Sequence, residues 1–229
     1  MHLENYPIEY TQWKVTFFGR DFVVTPDVLI PRLETEVLVR RARQILWPKT
    51  KNQKPKTVID IGCGSGIIGT SMADLVDEII FLDISSEALA VTEQNFRTHF
   101  PEKKAQFIVS DLLSNIPILK HSNILFVTNL PYIRSDDWIN MSADTIHEPR
   151  LALFGWELTG FEMYERLFTQ IAGLQLAYFQ LLFEFWFDQR EVAESVLRGY
   201  PQWQSSFFAD YAGIERFGEI VVGSTTLYP

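Results

Sequence analysis

Three short segments carry residue types that could do chemistry together. The first is Val58-Ile-Asp-Ile-Gly-Cys-Gly-Ser-Gly66, where an apolar run meets glycines at 62, 64 and 66. Glycine permits a tight turn and lets a ligand approach the backbone. A helix starting after Gly66 would offer free N–H groups and a positive dipole end, which suit a carboxylate or phosphate. Gly62, Cys63, Gly64, Ser65 and Gly66 are therefore candidate ligand-binding residues. Their G-x-G-x-G spacing differs from the dinucleotide pattern G-x-G-x-x-G, although Gly69 is nearby. The second segment ends in Asp83, 17 residues after Gly66. An acid there is placed to accept both hydroxyls of a ribose. The third ends in Ser110-Asp111, where a carboxylate can accept a hydrogen bond from an adenine amino group. Each feature alone has a plainer use, the glycines as a strand–helix turn and the acids as helix caps. All three at the C-terminal ends of successive strands coincide with the ligand-binding edge of an open α/β sheet. Together they read as a site for an adenosine-containing cofactor.

The D-x-G-x-G-x-G form resembles the class I S-adenosylmethionine methyltransferases. That resemblance implies S-adenosylmethionine as cofactor and S-adenosylhomocysteine as product. It also implies a Rossmann-like, mostly parallel seven-stranded sheet with an antiparallel edge hairpin. In that setting the apolar run 124–128 leads into Asn129-Leu130-Pro131-Tyr132. This turn suits methylation of a planar nitrogen that is a poor nucleophile. An amide nitrogen shares its lone pair with the carbonyl, as the rotation barrier of about 18–20 kcal/mol records. The Asn129 side-chain oxygen and the Leu130 carbonyl can each accept one N–H of an –NH2 group. Pro131 fixes the turn, and the Tyr132 ring can lie against a flat substrate. Positioning and preorganised dipoles would supply about 8 kcal/mol or more. Asn129, Pro131 and Tyr132 are the candidate catalytic residues.

Thr25-Pro-Asp-Val-Leu-Ile-Pro-Arg-Leu-Glu-Thr-Glu36 resembles the signature preceding the methyltransferase fold in the release-factor glutamine methyltransferases (the PrmC/HemK family). Glu148-Pro-Arg-Leu-Ala-Leu153, the stretch 183–189 and Asp210-Tyr-Ala-Gly-Ile-Glu-Arg216 are similar as well, so the resemblance spans about residues 6–222. It implies methyl transfer to the side-chain amide nitrogen (N5) of the glutamine in the Gly-Gly-Gln loop of peptide chain release factors. A release factor would then be the protein partner, and translation termination the process served. Carried over, Gly62, Gly64, Gly66, Asp83, Asp111, Leu112 and Asn129 would bind the cofactor. Asn129, Leu130, Pro131 and Tyr132 would hold the glutamine amide, and Pro31, Arg32, Glu34 and Thr35 would lie beside it. Three departures stand out. Leu130 replaces the first proline of the family's Asn-Pro-Pro-Tyr, and Leu33 replaces the proline after the upstream Arg. The chain also starts almost at its first hairpin, so most of the family's helical N-terminal domain is expected to be missing. Asn-Leu-Pro-Tyr is the form found in rRNA adenine dimethyltransferases, which leaves N6-adenine methylation of rRNA or DNA as the alternative. A scaffold without catalysis is a third reading, disfavoured by the intact Asn129, Pro131 and Tyr132.

The elements that must position these residues follow from periodicity. Residues 11–30 read as extended, with Trp13, Val15 and Phe17 alternating, a turn at Gly19-Arg20, and a return strand over 22–24. A helix follows over 33–46, then a Lys/Pro loop over 48–56. From Thr57 onward strands near 58–61, 79–82, 107–109, 124–128 and 178–185 alternate with helices after Gly66 and over 86–98, 161–172 and 188–198. Strands at 205–209 and 219–222 close the chain. This order predicts a parallel sheet covered on both faces with an antiparallel hairpin at one edge. The expected division is a hairpin and linker segment over 1–32 and a methyltransferase domain over 33–229.

Composition sets the remaining bounds. The 229 residues carry a net charge of −9, which argues against broad nucleic-acid binding. Arg40 to Lys56 holds seven basic residues and no acid, and reads as a solvated helix end and loop, with a surface for an anionic partner as the alternative. One cysteine, Cys63, excludes a disulfide framework, and the histidines at 2, 99, 121 and 147 have no i,i+4 spacing, so no metal site is expected. The lone thiol and the absence of an apolar leader fit a cytoplasmic protein. The apolar stretch 171–187 is interrupted by Gln175, Gln180 and Glu184, and reads as a buried strand with flanks and not as a membrane span.

Overall fold

The computed structural model describes residues 6–47, 57–116, 124–141, 143, 145–156 and 158–223. The expected loop over 48–56, including Lys49, Lys51, Lys54 and Lys56, lies outside them, as do His2 and His121. A short helix α1 (Ile8–Gln12) precedes the paired strands β1 (Val15–Phe17) and β2 (Arg20–Phe22). The extended reading is corrected at its start: Thr11 and Gln12 end α1, and Trp13 takes φ 56°, turning the chain into β1. Five residues are too few for a helical period to register in the sequence. The turn falls on Phe18 and Gly19, at φ 48° and 72°, one residue earlier than expected. Two positive φ values in a two-residue loop give the twist a hairpin needs, and this lets Arg20 open β2.

Helix α2 (Thr35–Leu46) buries Leu38, Val39, Ala42 and Leu46. The strands and helices β3 (Thr57–Ile61), α3 (Ile67–Thr70), β4 (Glu78–Asp83), α4 (Ser86–His99), β5 (Ala105–Val109) and β6 (Ile124–Thr128) follow. Then come β7 (Ile133–Arg134), α5 (Arg150–Leu153) and β8 (Phe154–Trp156), none of which the sequence had suggested. The chain ends in α6 (Glu162–Gly173), β9 (Phe179–Glu184), α7 (Arg190–Leu197), β10 (Gln204–Ala209) and β11 (Glu215–Val222). The apolar stretch 171–187 thus resolves into the end of α6 and the buried strand β9.

Seven strands form one sheet in the order β10-β11-β9-β6-β3-β4-β5, in which β11 runs antiparallel to both neighbours. All other pairings are parallel. Side chains alternate between two cores, as the pleat requires. Val58, Phe81 and Val127 face a core shared with Leu38, Met72 and Phe96. Ile59, Leu82 and Phe126 face the opposite core, with Phe161, Leu167 and Leu197. The N-terminal segment joins the structure through Tyr10, Val24, Val28 and Ile30, which pack on Ala88 and Val91 of α4. The Tyr10 hydroxyl donates to the Val28 carbonyl at 2.6 Å.

Candidate active site

The C-terminal ends of β3, β4, β5 and β6 meet at one edge of the sheet and bound a cavity of about 530 Å³. Gly62, Gly64 and Gly66 carry the chain out of β3 at φ 63°, 55° and 75°. That left-handed backbone favours glycine at each position. Space adds a second reason at two of them. A Cβ on Gly62 would sit 2.8 Å from Leu130 Cδ2, and one on Gly66 would sit 2.6 Å from Thr92 Cγ2. A Cβ on Gly64 would meet nothing within 4 Å, because that face opens into the cavity.

Two residues of α4, unremarked in the sequence, hold this loop. Thr92 donates from Oγ1 to the Gly64 carbonyl at 2.7 Å, and Asn95 donates from Nδ2 to the Ser65 carbonyl at 2.9 Å. Asn95 also accepts from the Val23 N–H at 2.7 Å, so one carboxamide ties the hairpin exit to the glycine loop. Burial pushes the Cys63 thiol well up, which keeps it neutral. Asp60 is buried and accepts from the Gly69 N–H at 2.8 Å; burial raises its carboxyl to about 8. Helix α3 spans only 4 residues, so the expected dipole contribution is small.

Asp83 ends β4 with both carboxylate oxygens in use by backbone: Oδ2 accepts from Gly64 N–H and Oδ1 from Ser85 N–H, each at 2.9 Å. The cap of α4 is Ser85, whose Oγ accepts from Ala88 N–H at 3.1 Å, so Asp83 does not serve as that cap. Each oxygen keeps lone pairs for a cavity ligand. Burial raises the Asp83 carboxyl above the usual carboxylate range, with the backbone donors opposing it. Asp111 and Leu112 form the wall beyond β5. Arg166 of α6 donates to Asp111 Oδ2 at 2.6 Å, an ion pair spanning 55 residues that no local sequence signal announces.

Asn129, Leu130 and Pro131 also line the cavity. Asn129 Nδ2 donates to Thr35 Oγ1 at 3.4 Å. Leu130 turns its side chain inward onto Gly62, and its N–H donates to Tyr164 Oη at 3.0 Å. Tyr132 does not line the cavity. Its hydroxyl donates to Glu184 Oε1 at 3.4 Å, and its ring tilts against Trp186 with centroids 5.5 Å apart. Burial and Glu184 both raise its phenol. Gln189 braces the turn from behind, donating to the Tyr132 carbonyl at 2.9 Å and the Thr159 carbonyl at 2.8 Å.

The upstream segment supplies the facing wall through Pro31, Arg32 and Thr35, whereas Glu34 lies outside it. Arg32 pairs with buried Glu148 at 2.6 Å, and Pro149, Leu151 and Ala152 continue that wall. Two motifs more than a hundred residues apart are thereby joined at the cavity. Of the expected residues, Gly66, Glu34 and Tyr132 support the cavity or lie beside it, and the others border it.

The methyltransferase small domain family model matches residues 38–148. Release factor glutamine methyltransferase from Enterococcus faecalis is 32% identical over 218 residues, covering 93% of this chain and 75% of the relative. The chain belongs to the release factor glutamine methyltransferase family. The Leptospira interrogans member of that family is 35% identical over 224 residues, covering 93% of this chain and 74% of the relative. Among solved structures, the E. cuniculi Mtq2–Trm112 complex, responsible for methylation of the eRF1 translation termination factor, matches with a TM-score of 0.56. At 17% identity, covering 86% of this chain and 99% of that one, it speaks for the fold alone. Among the described residues no helix is long and apolar enough to cross a membrane, and no group of three or more His, Cys, Asp or Glu could hold a metal ion.

Proposed function

We propose that this protein transfers a methyl group from S-adenosylmethionine to the side-chain amide nitrogen of the Gly-Gly-Gln glutamine in a peptide chain release factor. The observation that carries the reading is the orientation of Asn129. Its Nδ2 is spent on Thr35, so its Oδ1 is left to accept from a substrate –NH2 group at the cavity wall. The donor set also fits the cofactor. Asp83 offers lone pairs for ribose hydroxyls, Asp111 an acceptor for an adenine amino group, and Gly64 an open face where a side chain would intrude. When bound, S-adenosylmethionine supplies an electrophilic methyl group on sulfur. Asn129 Oδ1 and the Leu130 carbonyl each accept one N–H, which holds the glutamine nitrogen with its lone pair toward that methyl. Leu130, Pro131 and the braced Tyr132 backbone keep these acceptors fixed, and Pro31, Arg32 and Thr35 shape the side from which the peptide enters. Preorganisation of this kind is the main source of rate enhancement at such a site.

The segment 1–32 works within this reading as part of the methyltransferase unit over 33–229, because it lends Pro31 and Arg32 to the cavity wall. The reaction belongs to the cytoplasm, where release factors act. Nucleic acid is the weaker substrate class, although Leu130 matches an adenine-modifying turn. Arg40, Arg41 and Arg43 are taken up by Glu36 and Tyr211, Glu219 and Asp74, which leaves little free positive charge on α2. The test offers labelled S-adenosylmethionine with purified release factor and, separately, purified rRNA. Label in the release factor, lost when its Gly-Gly-Gln glutamine is replaced, supports the reading. Label in rRNA alone overturns it.

A further inference from the structure

Behind Asn129 lies a chain of hydrogen bonds that neither the motif nor the family resemblance assigns. Asn129 Nδ2 donates to Thr35 Oγ1 at 3.4 Å, and Thr35 Oγ1 donates to Glu184 Oε2 at 2.8 Å. Thr35 and Glu184 are each 1% exposed. A hydroxyl has one proton to give. If Thr35 gives it to Glu184, it can only accept from Asn129, and Asn129 must turn its NH2 toward Thr35 and its oxygen toward the cavity. If Glu184 instead carries a proton and donates it, Thr35 is free to donate to Asn129. The carboxamide then gains by flipping, and a donor faces the cavity where an acceptor is needed. The two amide orientations have the same shape, so only this bonding decides between them.

We propose that Glu184 is a positioning residue for methyl transfer, setting through Thr35 which end of the Asn129 carboxamide faces the substrate. The inference deepens the reading of Asn129 given above and rests on it. Glu184 ends β9, next to β6, whose last residue leads into Asn129; the pairing of Thr128 with Phe183 puts the two side by side. Thr35 enters from the first residue of α2, so the relay also explains why the upstream motif must sit against this strand end. The groups facing Glu184 are Thr35 from α2, Tyr132 from the catalytic turn, Arg216 from β11 and Glu34 preceding α2. Tyr164 from α6 donates its hydroxyl to the Glu184 carbonyl. Burial raises the Glu184 carboxyl to about 7, against the opposing pull of Thr35 and Arg216. The orienting form is the carboxylate, so it is gained as pH rises through that value.

Two readouts test the relay. In the first, the side-chain ¹H–¹⁵N signals of Asn129, assigned by their loss in Asn129→Ala, are followed from pH 5.5 to 8.5 with S-adenosylhomocysteine added. They should shift with a midpoint near 7 and stop doing so in Glu184→Gln and Thr35→Val. Signals that ignore pH, or that titrate unchanged in both variants, overturn the proposal. These spectra need no methyl acceptor, so they judge the relay even if release factor is not the substrate. In the second, kcat and KM for release factor are measured across pH 6–8. Wild-type kcat should fall about tenfold per unit below the midpoint. Glu184→Gln keeps an acceptor for Thr35 and should flatten the profile. Thr35→Val should lower kcat about tenfold or more with KM within twofold, and Thr35→Ser should restore it. A Thr35→Val enzyme with the wild-type kcat and pH profile overturns the relay, as does a Glu184→Gln enzyme that keeps the wild-type slope.

Discussion

Replacing Asp83 by alanine separates two tasks that the structure assigns to one carboxylate. Its oxygens bind the Gly64 and Ser85 N–H groups, each at 2.9 Å, and so tie the glycine loop to the start of α4. Hydrogen bonds to a charged group are worth about 1.5–3 kcal/mol each. Burial opposes this gain, as the raised carboxyl reflects, but Asp83→Ala also leaves the Gly64 and Ser85 N–H groups without their acceptor, so the net stability loss should be small, about 1–2 kcal/mol. Cofactor binding has no such offset, because the cost of burying Asp83 is met before the ligand arrives. Losing the ribose contacts should cost about 1.5–3 kcal/mol of binding. That is a rise of about 10- to 150-fold in Kd for S-adenosylhomocysteine. Titration calorimetry measures the affinity and urea unfolding the stability. An unchanged Kd in a folded Asp83→Ala protein would refute the placement of the ribose. A stability loss of several kcal/mol with an equal loss of binding would mean that Asp83 acts only by holding the loop.

Two further substitutions probe the glycine loop and the buried acid beneath it. Gly64→Ala and Gly66→Ala both force a side chain into left-handed backbone, at about 1–2 kcal/mol; only Gly66→Ala also drives a methyl into Thr92, adding about 1–3 kcal/mol. Urea unfolding should therefore rank Gly66→Ala as the less stable, while calorimetry should find the larger ligand-specific loss in Gly64→Ala, and equal stabilities would contradict the packing argument. Asp60 binds a proton in the folded state up to about pH 8 but loses it near its ordinary value of 3.8 when unfolded. Its contribution to stability is complete below that ordinary value and is lost as pH rises toward 8, at up to about 1.4 kcal/mol per pH unit. The difference between unfolding free energies at pH 5 and 7.5 should therefore be smaller in Asp60→Asn than in wild type, with Glu184 and Asp83 keeping a residual slope, and a variant with the wild-type pH slope would count against the buried-acid assignment.

The parts of the site that the sequence discloses are those carried by short contiguous runs at strand ends. The glycine loop, Asp83, Asp111 and the 129–132 turn each follow an apolar strand directly, so pattern and position coincide. The supports are hidden for the opposite reason. Thr92 and Asn95 look like ordinary polar residues of α4 until the helix packs beneath the loop. Arg166 reaches Asp111 from 55 positions away, and Glu184 reaches Thr35 across 149. Tyr132 illustrates a different limit. Its neighbours in sequence put it in the motif, but whether its ring faces substrate or Glu184 depends on Trp186 and β9, which bear on it only after folding. The short elements α1, α5, β7 and β8 escape notice because runs of two to five residues are too short for a period to register.

In the proposed mechanism Asn129 holds the amide nitrogen during methyl transfer. Single-turnover transfer to release factor with saturating S-adenosylmethionine, comparing wild type and Asn129→Ala, tests it most directly. Loss of one aligned hydrogen-bonding group at a reacting centre typically costs about 10²–10³ in rate. A loss of that size is expected in kcat, with cofactor affinity nearly unchanged because Asp83, Asp111 and the glycine loop remain. An Asn129→Ala enzyme within about threefold of wild type would contradict it and reduce Asn129-Leu-Pro-Tyr132 to an ordinary turn.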